Sequence, residues 1–266
     1  MKTIDAFFDV DGCLINEKYQ FTIPPKKLTE VIKGFEGGLR VHLNSNRSLK
    51  SLIGIWEMIQ TEGVLIYENG LGVFDPKTNR FIQDSGGRFC KVSLSKQLRS
   101  MGFKLQVIDT DRLITNPGEF TGNGAIVFCE QSREYTATLY PRLMVEGVPQ
   151  INGGLIEQVR DVLHEKYGRE YNISTSSLYG NILMTPKSAL KGQYMKTVAG
   201  DSFIASFGDQ IPDILMFKES SPGLIGCPNN SSLEVKKFVR EGGGTVSPKN
   251  YTSACLDFLK YLKGFR

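Results

Sequence analysis

The sequence predicts an α/β protein: a parallel sheet with helices on its faces, and a second, α+β domain inserted into it. From residue 1 to about 83, apolar runs of strand length alternate with segments that carry apolar residues at helical spacing. This alternation is typical of a parallel sheet covered by helices. From about 84 to 183, consecutive strand-like runs replace it, and from about 184 to 266 it returns. We therefore expect a core of 1–83 and 184–266, with 84–183 forming the inserted domain.

The composition is that of a globular protein and excludes several classes of partner. The 266 residues are 40% hydrophobic and 23% charged, and the formal net charge is +4. Because the basic residues are spread along segments typical of solvated helix faces, we expect no nucleic-acid partner. No apolar stretch is long enough to span a bilayer and no signal peptide is evident, so we expect no membrane partner. The five cysteines are odd in number and form no Cys-x-x-Cys pair, which indicates a reducing, cytoplasmic compartment.

The first predicted strand ends in two carboxylates. Ala6 to Phe8 form a short apolar run, and Asp9, Asp11 and Gly12 follow it. Alternate residues of an extended chain point to the same side, so both carboxylates can converge at the end of the strand. Two anions held that close need a cation or a proton between them. The same residues also fit a plain polar turn, since Asp-Gly is a common turn pair.

Periodicity and turn residues predict the next elements in order. Pro24-Pro25 opens the first helix and Gly37-Gly38 lies past its end. Glu68-Asn69-Gly70 predicts a hairpin-like turn between two strands. The expected elements are a helix at about 26–35, a strand at 39–43, a helix at 48–61, and strands at 64–67 and 71–74.

The insert and the second half of the core are predicted in the same way. Gly86-Gly87 marks the break before the insert, and the turn at 131–133 predicts antiparallel pairing of the strands around it. In the insert we expect helices near 93–101 and 152–167 and strands near 103–109, 124–130, 134–140, 171–177 and 181–185. In the returning core we expect helices near 188–199, 231–241 and 251–262 and strands at 203–207 and 223–227.

Polar residues follow four of the predicted core strands, and open α/β sheets bind ligands at such strand ends. The four groups are Asp9 with Asp11, Ser45-Asn46-Arg47, the turn at Asn69, and Asp209 with Asp213. One carboxylate can act as a nucleophile, a neighbour as a proton donor, and the others as ligands of a hard cation. A serine hydroxyl, helix N-terminal N–H groups and a lysine ammonium can hold phosphate oxygens. The pattern indicates phosphoryl transfer.

A lysine at the start of the predicted helix 188–199 can reach the same edge. Lys187, Lys191 and Lys196 all lie at a suitable distance before Asp209. The glycine after Lys191 favours that residue.

In this order, the four groups resemble the haloacid dehalogenase (HAD) superfamily. Asp9-Val10-Asp11-Gly12-Cys13-Leu14 is similar to its first motif, Ser45-Asn46-Arg47 to the second, Lys191-Gly192 to the third, and Gly208-Asp209 with Asp213 to the fourth. The resemblance implies a Rossmann-like parallel-sheet core with a type II cap of the C2B variety, which is the substrate-specificity domain at 84–183. Glu68-Asn69-Gly70 resembles the Cof-like branch, which includes sugar-phosphate, mannosyl-phosphoglycerate and archaeal-type phosphoglycolate phosphatases.

The resemblance also implies a role for each motif residue. Asp9 would form an aspartyl-phosphate, and Asp11 would protonate the leaving oxygen and then activate water. Mg²⁺ would be bound by Asp9, the backbone carbonyl of Asp11, and Asp209, with Asp213 a ligand or a water-bridged neighbour. The phosphoryl group would be bound by Ser45, Asn46 and Lys191. The candidates for substrate contact are Arg47, Asn69, Asn181 and Asn230.

Two positions depart from the family pattern. Cys13 stands where the first motif usually has Thr or Ser. Pro212 stands where Asn is common before the last acid, so one expected phosphate-contacting or orienting group is missing.

Three interpretations of function follow. The resemblance favours a Mg²⁺-dependent phosphatase of a small phosphorylated metabolite, such as a sugar phosphate, or a phosphoglycolate or phosphoglycerate-type ester. A sugar phosphomutase is the second interpretation, because the eukaryotic-type phosphomannomutases share this core and cap. The third is a non-catalytic ligand-binding protein on the same fold. Conversion of a hexose 1-phosphate to its 6-phosphate would distinguish the second, and the sequence leaves the oligomeric state open.

Overall fold

The computed structural model describes residues 3–35, 38–84, 87–109, 123–176, 179–221 and 223–264. The chain divides into two compact units, one formed by 1–85 with 189–266 and the other by 86–188. The first unit contains a mostly parallel α/β sheet and the second an α+β sheet, so the predicted fold class is confirmed. The role of the second unit as a substrate-specificity cap stays a prediction.

The helices and strands are numbered here in chain order. The strands are β1 (Ile4–Phe8), β2 (Leu39–Asn44), β3 (Leu65–Tyr67), β4 (Gly72–Asp75), β5 (Arg80–Asp84), β6 (Lys104–Ile108), β7 (Gly124–Glu130), β8 (Ala137–Val145), β9 (Val148–Ile151), β10 (Tyr171–Ser176), β11 (Asn181–Pro186), β12 (Phe203–Phe207), β13 (Leu224–Cys227) and β14 (Thr245–Val246). The helices are α1 (Pro25–Lys33), α2 (Leu49–Ile59), α3 (Lys91–Ser100), α4 (Gly153–Tyr167), α5 (Met195–Ala199), α6 (Asp213–Glu219), α7 (Leu233–Glu241) and α8 (Tyr251–Gly264).

The first unit is built on a sheet with the strand order β14-β13-β12-β1-β2-β3-β4-β5. The strands from β14 to β3 pair in parallel, and β4 and β5 continue the sheet in antiparallel fashion. All five residues of β1 are buried, as expected for a central strand covered on both faces. In the register of the sheet, Phe8 lies opposite both Leu43 and Phe207. The carboxyl ends of β1, β2 and β12 are therefore level, and the loops that follow them leave the same edge.

The second unit has the strand order β10-β11-β8-β7-β6, and β9 pairs with β8. β7 and β8 are antiparallel, as the turn at 131–133 predicts. Alternate residues of these strands face α3 and α4. A buried apolar cluster results, which includes Leu98, Val127, Leu139, Val159 and Ile182.

The predicted helix at 188–199 is wrong over its first half, because α5 begins only at Met195. Lys191 therefore lies in a turn ahead of the helix and not at its start. Asn44 donates a hydrogen bond from Nδ2 to the carbonyl oxygen of Lys191 at 2.5 Å, which occupies an acceptor that a helix would use. Backbone bonds from Gln193 to Leu190 (2.9 Å) and from Met195 to Gly192 (3.1 Å) keep this segment in tight turns.

The sequence did not predict four short elements: β5, β9, β14 and α6. Among the described helices, none has both the length and the apolar character needed to cross a membrane.

Candidate active site

The loops after β1 and β12 bring two carboxylates together. The N–H of Asp9 donates to the carbonyl of Phe207 at 2.9 Å, which continues the parallel pairing one residue beyond the strand. Asp209 follows β12 by two residues. Both side chains are buried, with relative exposures of 5% for Asp9 and 3% for Asp209. The two acids therefore meet at the edge where the sequence predicts the site.

A buried lysine connects Asp9 to a third carboxylate. Lys191 Nζ lies 2.8 Å from Oδ1 of Asp9 and 2.5 Å from Oδ1 of Asp213. Asp213 begins α6, and its Oδ2 accepts the backbone N–H groups of Asp209 (2.8 Å) and Gln210 (2.9 Å). Both oxygens of Asp213 are thus engaged, so the arrangement favours the neighbour role over direct metal ligation. Its place among the metal ligands stays a prediction.

Of the three candidate lysines, Lys191 is the one that lies in this cluster. Lys196 instead pairs with Glu219 on the surface, where its side chain is 61% exposed. Lys187 belongs to the second unit, where its N–H donates to the carbonyl of Glu170.

One oxygen of the Asp9 carboxylate is available to react or to bind a cation. Oδ1 accepts hydrogen bonds from Lys191 and from the N–H of Val10, the latter at 2.7 Å. Among the residues that the structure describes, none is bonded to Oδ2. A carboxylate fixed through one oxygen can present the other to an electrophile or a cation.

Gly12 permits the close packing of this loop on Asp209. Its φ is +76°, and a Cβ built on it would lie 2.2 Å from Oδ2 of Asp209. Any side chain here would both strain the backbone and displace the acid. The neighbouring Cys13 is fully buried, and its Sγ lies 3.5 Å from Oδ1 of Asp209.

The pKa values reflect an excess of negative charge. Burial raises the pKa of Asp9 well above its usual range, and the charges of Asp213 and Asp209 raise it further, against the opposing effect of Lys191. Burial and the charge of Asp213 raise the pKa of Asp209 to about 6. Burial opposes the charged form of Lys191, but the carboxylates of Asp213 and Asp9 more than offset this and raise its pKa. Three buried carboxylates therefore share one ammonium group.

The donor set fits a divalent cation. A carboxylate oxygen of Asp9, a carboxylate oxygen of Asp209 and Sγ of Cys13 all lie within 4.8 Å of one another, and all three residues are buried. Carboxylate oxygens are the ligands that Mg²⁺ prefers, and a divalent cation would neutralise the excess negative charge. The predicted Mg²⁺ at Asp9 and Asp209 is thus compatible with the residues present.

The side chain of Asp11 pairs with Arg47. The guanidinium donates from Nε (2.8 Å) and Nη2 (2.7 Å) to the two oxygens of Asp11, in a bidentate pair. Arg47 also donates to Ser51 at 2.7 Å and lies 5.1 Å from the ring centroid of Tyr19. The Asp11 side chain is 48% exposed, so it is accessible to solvent. Arg47 therefore positions Asp11, and substrate contact by Arg47 stays a prediction.

The second motif forms a compact turn after β2. Ser45 is buried, and its Oγ accepts the N–H of Arg47 at 3.3 Å. Asn69 donates from Nδ2 to Oδ1 of Asn46 at 3.1 Å. Glu68 and Asn69 have positive φ values, as does Gly70, whose missing Cβ allows the carbonyl of Leu190 to approach. The turn at 68–70 therefore brings Ser45, Asn46 and Asn69 together, close to the Lys191 segment.

Two predicted substrate residues have other partners. Asn230 donates to the carbonyl of Gly12 at 2.7 Å and accepts the N–H of Tyr251 at 3.1 Å, so it braces the Asp9–Gly12 loop. Asn181 belongs to the second unit, where it hydrogen-bonds with Tyr140 at the start of β11. Burial raises the pKa of Tyr140 to about 12. Substrate contact by Asn181 and Asn230 stays a prediction.

The sequence reasoning missed two supporting residues. Asn44 anchors the Lys191 segment through its carbonyl, and Gln210 donates to Oδ2 of Asp209 at 2.8 Å. Each is adjacent to a predicted site residue. The sequence offers no signal for Asn44, because Arg40 and His42 are also polar residues within the same strand.

Comparison with known proteins identifies similar sequences and similar folds. The family described as haloacid dehalogenase-like hydrolase matches residues 6–258. A haloacid dehalogenase-like hydrolase from Bacteroides thetaiotaomicron is 13% identical, with a TM-score of 0.70 over 98% of this chain and 100% of that one. The Thermoplasma acidophilum protein 0175 is 19% identical, with a TM-score of 0.66 over 99% of both chains. A Synechocystis sucrose-phosphatase, solved with sucrose and phosphate, is 16% identical, with a TM-score of 0.53 over 98% of both. Among curated proteins, none matches this chain.

Proposed function

This chain belongs to the haloacid dehalogenase-like hydrolase family, and we propose that it is a Mg²⁺-dependent phosphatase of a small phosphorylated metabolite, most readily a sugar phosphate. The observation that carries the proposal is the hydrogen bonding of the two oxygens of the Asp9 carboxylate. Its Oδ1 is fixed by Lys191 and Val10, and its Oδ2 has no bonded partner among the described residues. A buried carboxylate held in this way is pre-oriented for attack on phosphorus.

The chain's own residues can perform both halves of the reaction. Oδ2 of Asp9 attacks phosphorus, and the alcohol oxygen leaves as an aspartyl-phosphate forms. Asp11, which is accessible to solvent, gives a proton to that oxygen and then takes one from the water that hydrolyses the intermediate. Lys191 and the hydroxyl of Ser45 bind phosphoryl oxygens. Arg47 sets the direction of the Asp11 carboxylate through their bidentate pair.

We propose that Mg²⁺ binds to the acids of this cluster. Asp9, Asp209 and the backbone carbonyl of Asp11 would hold Mg²⁺, and Asp213 would orient Lys191 and the Asp209 loop. When bound, Mg²⁺ neutralises negative charge that accumulates on the phosphoryl oxygens.

The substrate class rests on the fold relationship and on the chemistry of the site. A structural relative is a sucrose-phosphatase, and this chain shares its fold over nearly all of its length. The polar turn of Asn46 and Asn69 beside the proposed phosphate site offers amide groups, which suit sugar hydroxyls. The five free cysteines support a cytoplasmic location as part of the proposal.

A phosphate-release screen tests the proposal. The protein is incubated with sugar phosphates, phosphoglycolate, phosphoglycerate, nucleotides and p-nitrophenyl phosphate, with Mg²⁺ or with excess chelator. We expect Mg²⁺-dependent release of inorganic phosphate, selective for small sugar esters. Asp9→Asn removes the nucleophile and should lower turnover at least about a thousandfold.

Variants of two matched acids, and an analysis of the reaction products, make the test more specific. Asp209→Asn should lose Mg²⁺-dependent turnover, whereas Asp201→Asn, an exposed acid that also follows a glycine, should not. Release in excess chelator, or an Asp9→Asn variant within about tenfold of the wild type, contradicts the proposal. Conversion of a hexose 1-phosphate to its 6-phosphate would show a mutase instead.

A further inference from the structure

The side chain of Cys13 faces the proposed metal site. The residue is fully buried in the turn after β1, and its Sγ is 3.5 Å from Oδ1 of Asp209, to which the thiol donates a hydrogen bond. Sγ also lies within 4.8 Å of a carboxylate oxygen of Asp9. This chain therefore presents sulfur to the two acids expected to bind Mg²⁺.

The separation of the donor atoms suits a shared ion. A sulfur at about 2.3 Å and an oxygen at about 2.0 Å from one tetrahedral ion stand about 3.5 Å apart. The distance from Sγ of Cys13 to Oδ1 of Asp209 has this value. An ion between them would take the place of the thiol proton, which would be released to solvent.

Sulfur changes which ions the site prefers. Mg²⁺ binds hard oxygen ligands and gains little from a thiolate, whereas Co²⁺ and Zn²⁺ bind thiolate, carboxylate and water together. We propose that Cys13 is a protein ligand for thiophilic divalent cations, which bind through its Sγ with Asp9 and Asp209 and compete with Mg²⁺. The inference rests on the proposed Mg²⁺ site only in sharing these two acids.

The experiment is an anaerobic titration of the metal-free full chain with Co²⁺, followed by absorption spectroscopy. Sulfur bound to Co²⁺ gives an intense near-ultraviolet charge-transfer band that oxygen ligands do not give. We expect this band in the wild type, and we expect Mg²⁺ to move the midpoint of the titration to higher Co²⁺. Cys13→Ser and Asp209→Asn should lack the band, and Cys13→Thr, which also replaces the thiol by a hydroxyl, gives a second test if Cys13→Ser does not fold.

Two other thiols provide matched controls. Cys90 is exposed and belongs to the second unit, and Cys255 is buried on α8. Cys90→Ser and Cys255→Ser should keep the band. Its absence in the wild type, its persistence in Cys13→Ser, or a midpoint that Mg²⁺ does not move overturns the inference. Mg²⁺-dependent phosphate release is measured separately with the wild type, so failure of the cobalt experiment and failure of the proposed function give different results.

Discussion

Replacement of Lys191 by Met should destabilise the first unit strongly, because it leaves two buried carboxylates without their cation. Nζ lies 2.8 Å from Asp9 and 2.5 Å from Asp213. At an effective dielectric constant near 20, each attraction is roughly 6–7 kcal/mol. Most of this is offset by the cost of desolvating the charges, and breaking a buried pair by removing one partner typically costs about 3–5 kcal/mol. We expect Lys191→Met to lower the free energy of unfolding by that amount and to abolish phosphate release.

The protein contains a convenient probe for this measurement. Trp56 is the sole tryptophan of the chain and lies on α2 in the first unit, where its Nε1 donates to the carbonyl of Thr61. Its fluorescence during urea unfolding in chelator reports the stability of that unit. Lys196→Met is the matched control, because Lys196 pairs with Glu219 at the surface and should change stability by less than about 1 kcal/mol. Equal stability of the two variants would refute the argument.

Two further predictions concern Asp11 and His42. Asp11→Asn should slow the turnover of alkyl sugar phosphates more than that of p-nitrophenyl phosphate, because nitrophenolate leaves without a proton. Arg47→Ala should show the same bias, since it removes the partner that orients the Asp11 carboxylate. Equal losses of turnover on both substrates would remove Asp11 from the acid role. His42 is buried between Asp5, which accepts from its Nε2, and the N–H of Val64, which donates to its Nδ1, and burial lowers its pKa against the opposing effect of Asp5. Below pH about 6.5 the unfolded chain therefore binds a proton that folded His42 does not, so the free energy of unfolding should fall by up to about 1.4 kcal/mol per pH unit. The Asp5 contribution is separate, because hydrogen bonds from His42 and Arg40 outweigh burial and lower its pKa, so its stabilisation is lost only below pH about 4. His42→Gln should reduce the slope of unfolding free energy against pH, measured by Trp56 fluorescence. His164→Gln, at an exposed position of α4 in the other unit, should leave this slope unchanged. The same slope in both variants would contradict the assignment.

The sequence predicted the edge of the sheet at which the acids meet, because that edge follows from the direction of parallel strands. Asp9, Ser45 and Asp209 each follow a predicted strand, and all three strands form with level ends. The order of the strands cannot be inferred from those predictions. β12 pairs with β1 although about 195 residues separate them, and this pairing sets Asp209 beside Asp9.

Hydrogen bonds and ion pairs between side chains were harder to predict than the ends of strands. The Asp5–His42–Arg40 network joins neighbouring strands in register, and its polar residues interrupt otherwise apolar runs without forming any known motif. Lys191 was predicted on a helix because helical periodicity continues through its segment. A single hydrogen bond from Asn44 to its carbonyl, made across the fold, holds that segment in a turn instead. Local patterns carry no information about such a contact.

The charge balance of the site is also a property of the fold. Over the whole sequence, the charges of the acidic and basic residues nearly cancel, since there are 28 acidic residues and 32 basic ones. At the edge of the sheet, however, Asp9, Asp209 and Asp213 are all buried, and among the described residues Lys191 is the cation that pairs with Asp9 and Asp213. Backbone N–H groups bond the carboxylate of Asp213, and the Gln210 amide bonds that of Asp209, which favours the buried positions of both acids. A buried cluster with excess negative charge must take up a cation or protons, so the proposed affinity for divalent ions would depend on the backbone as much as on the acids themselves.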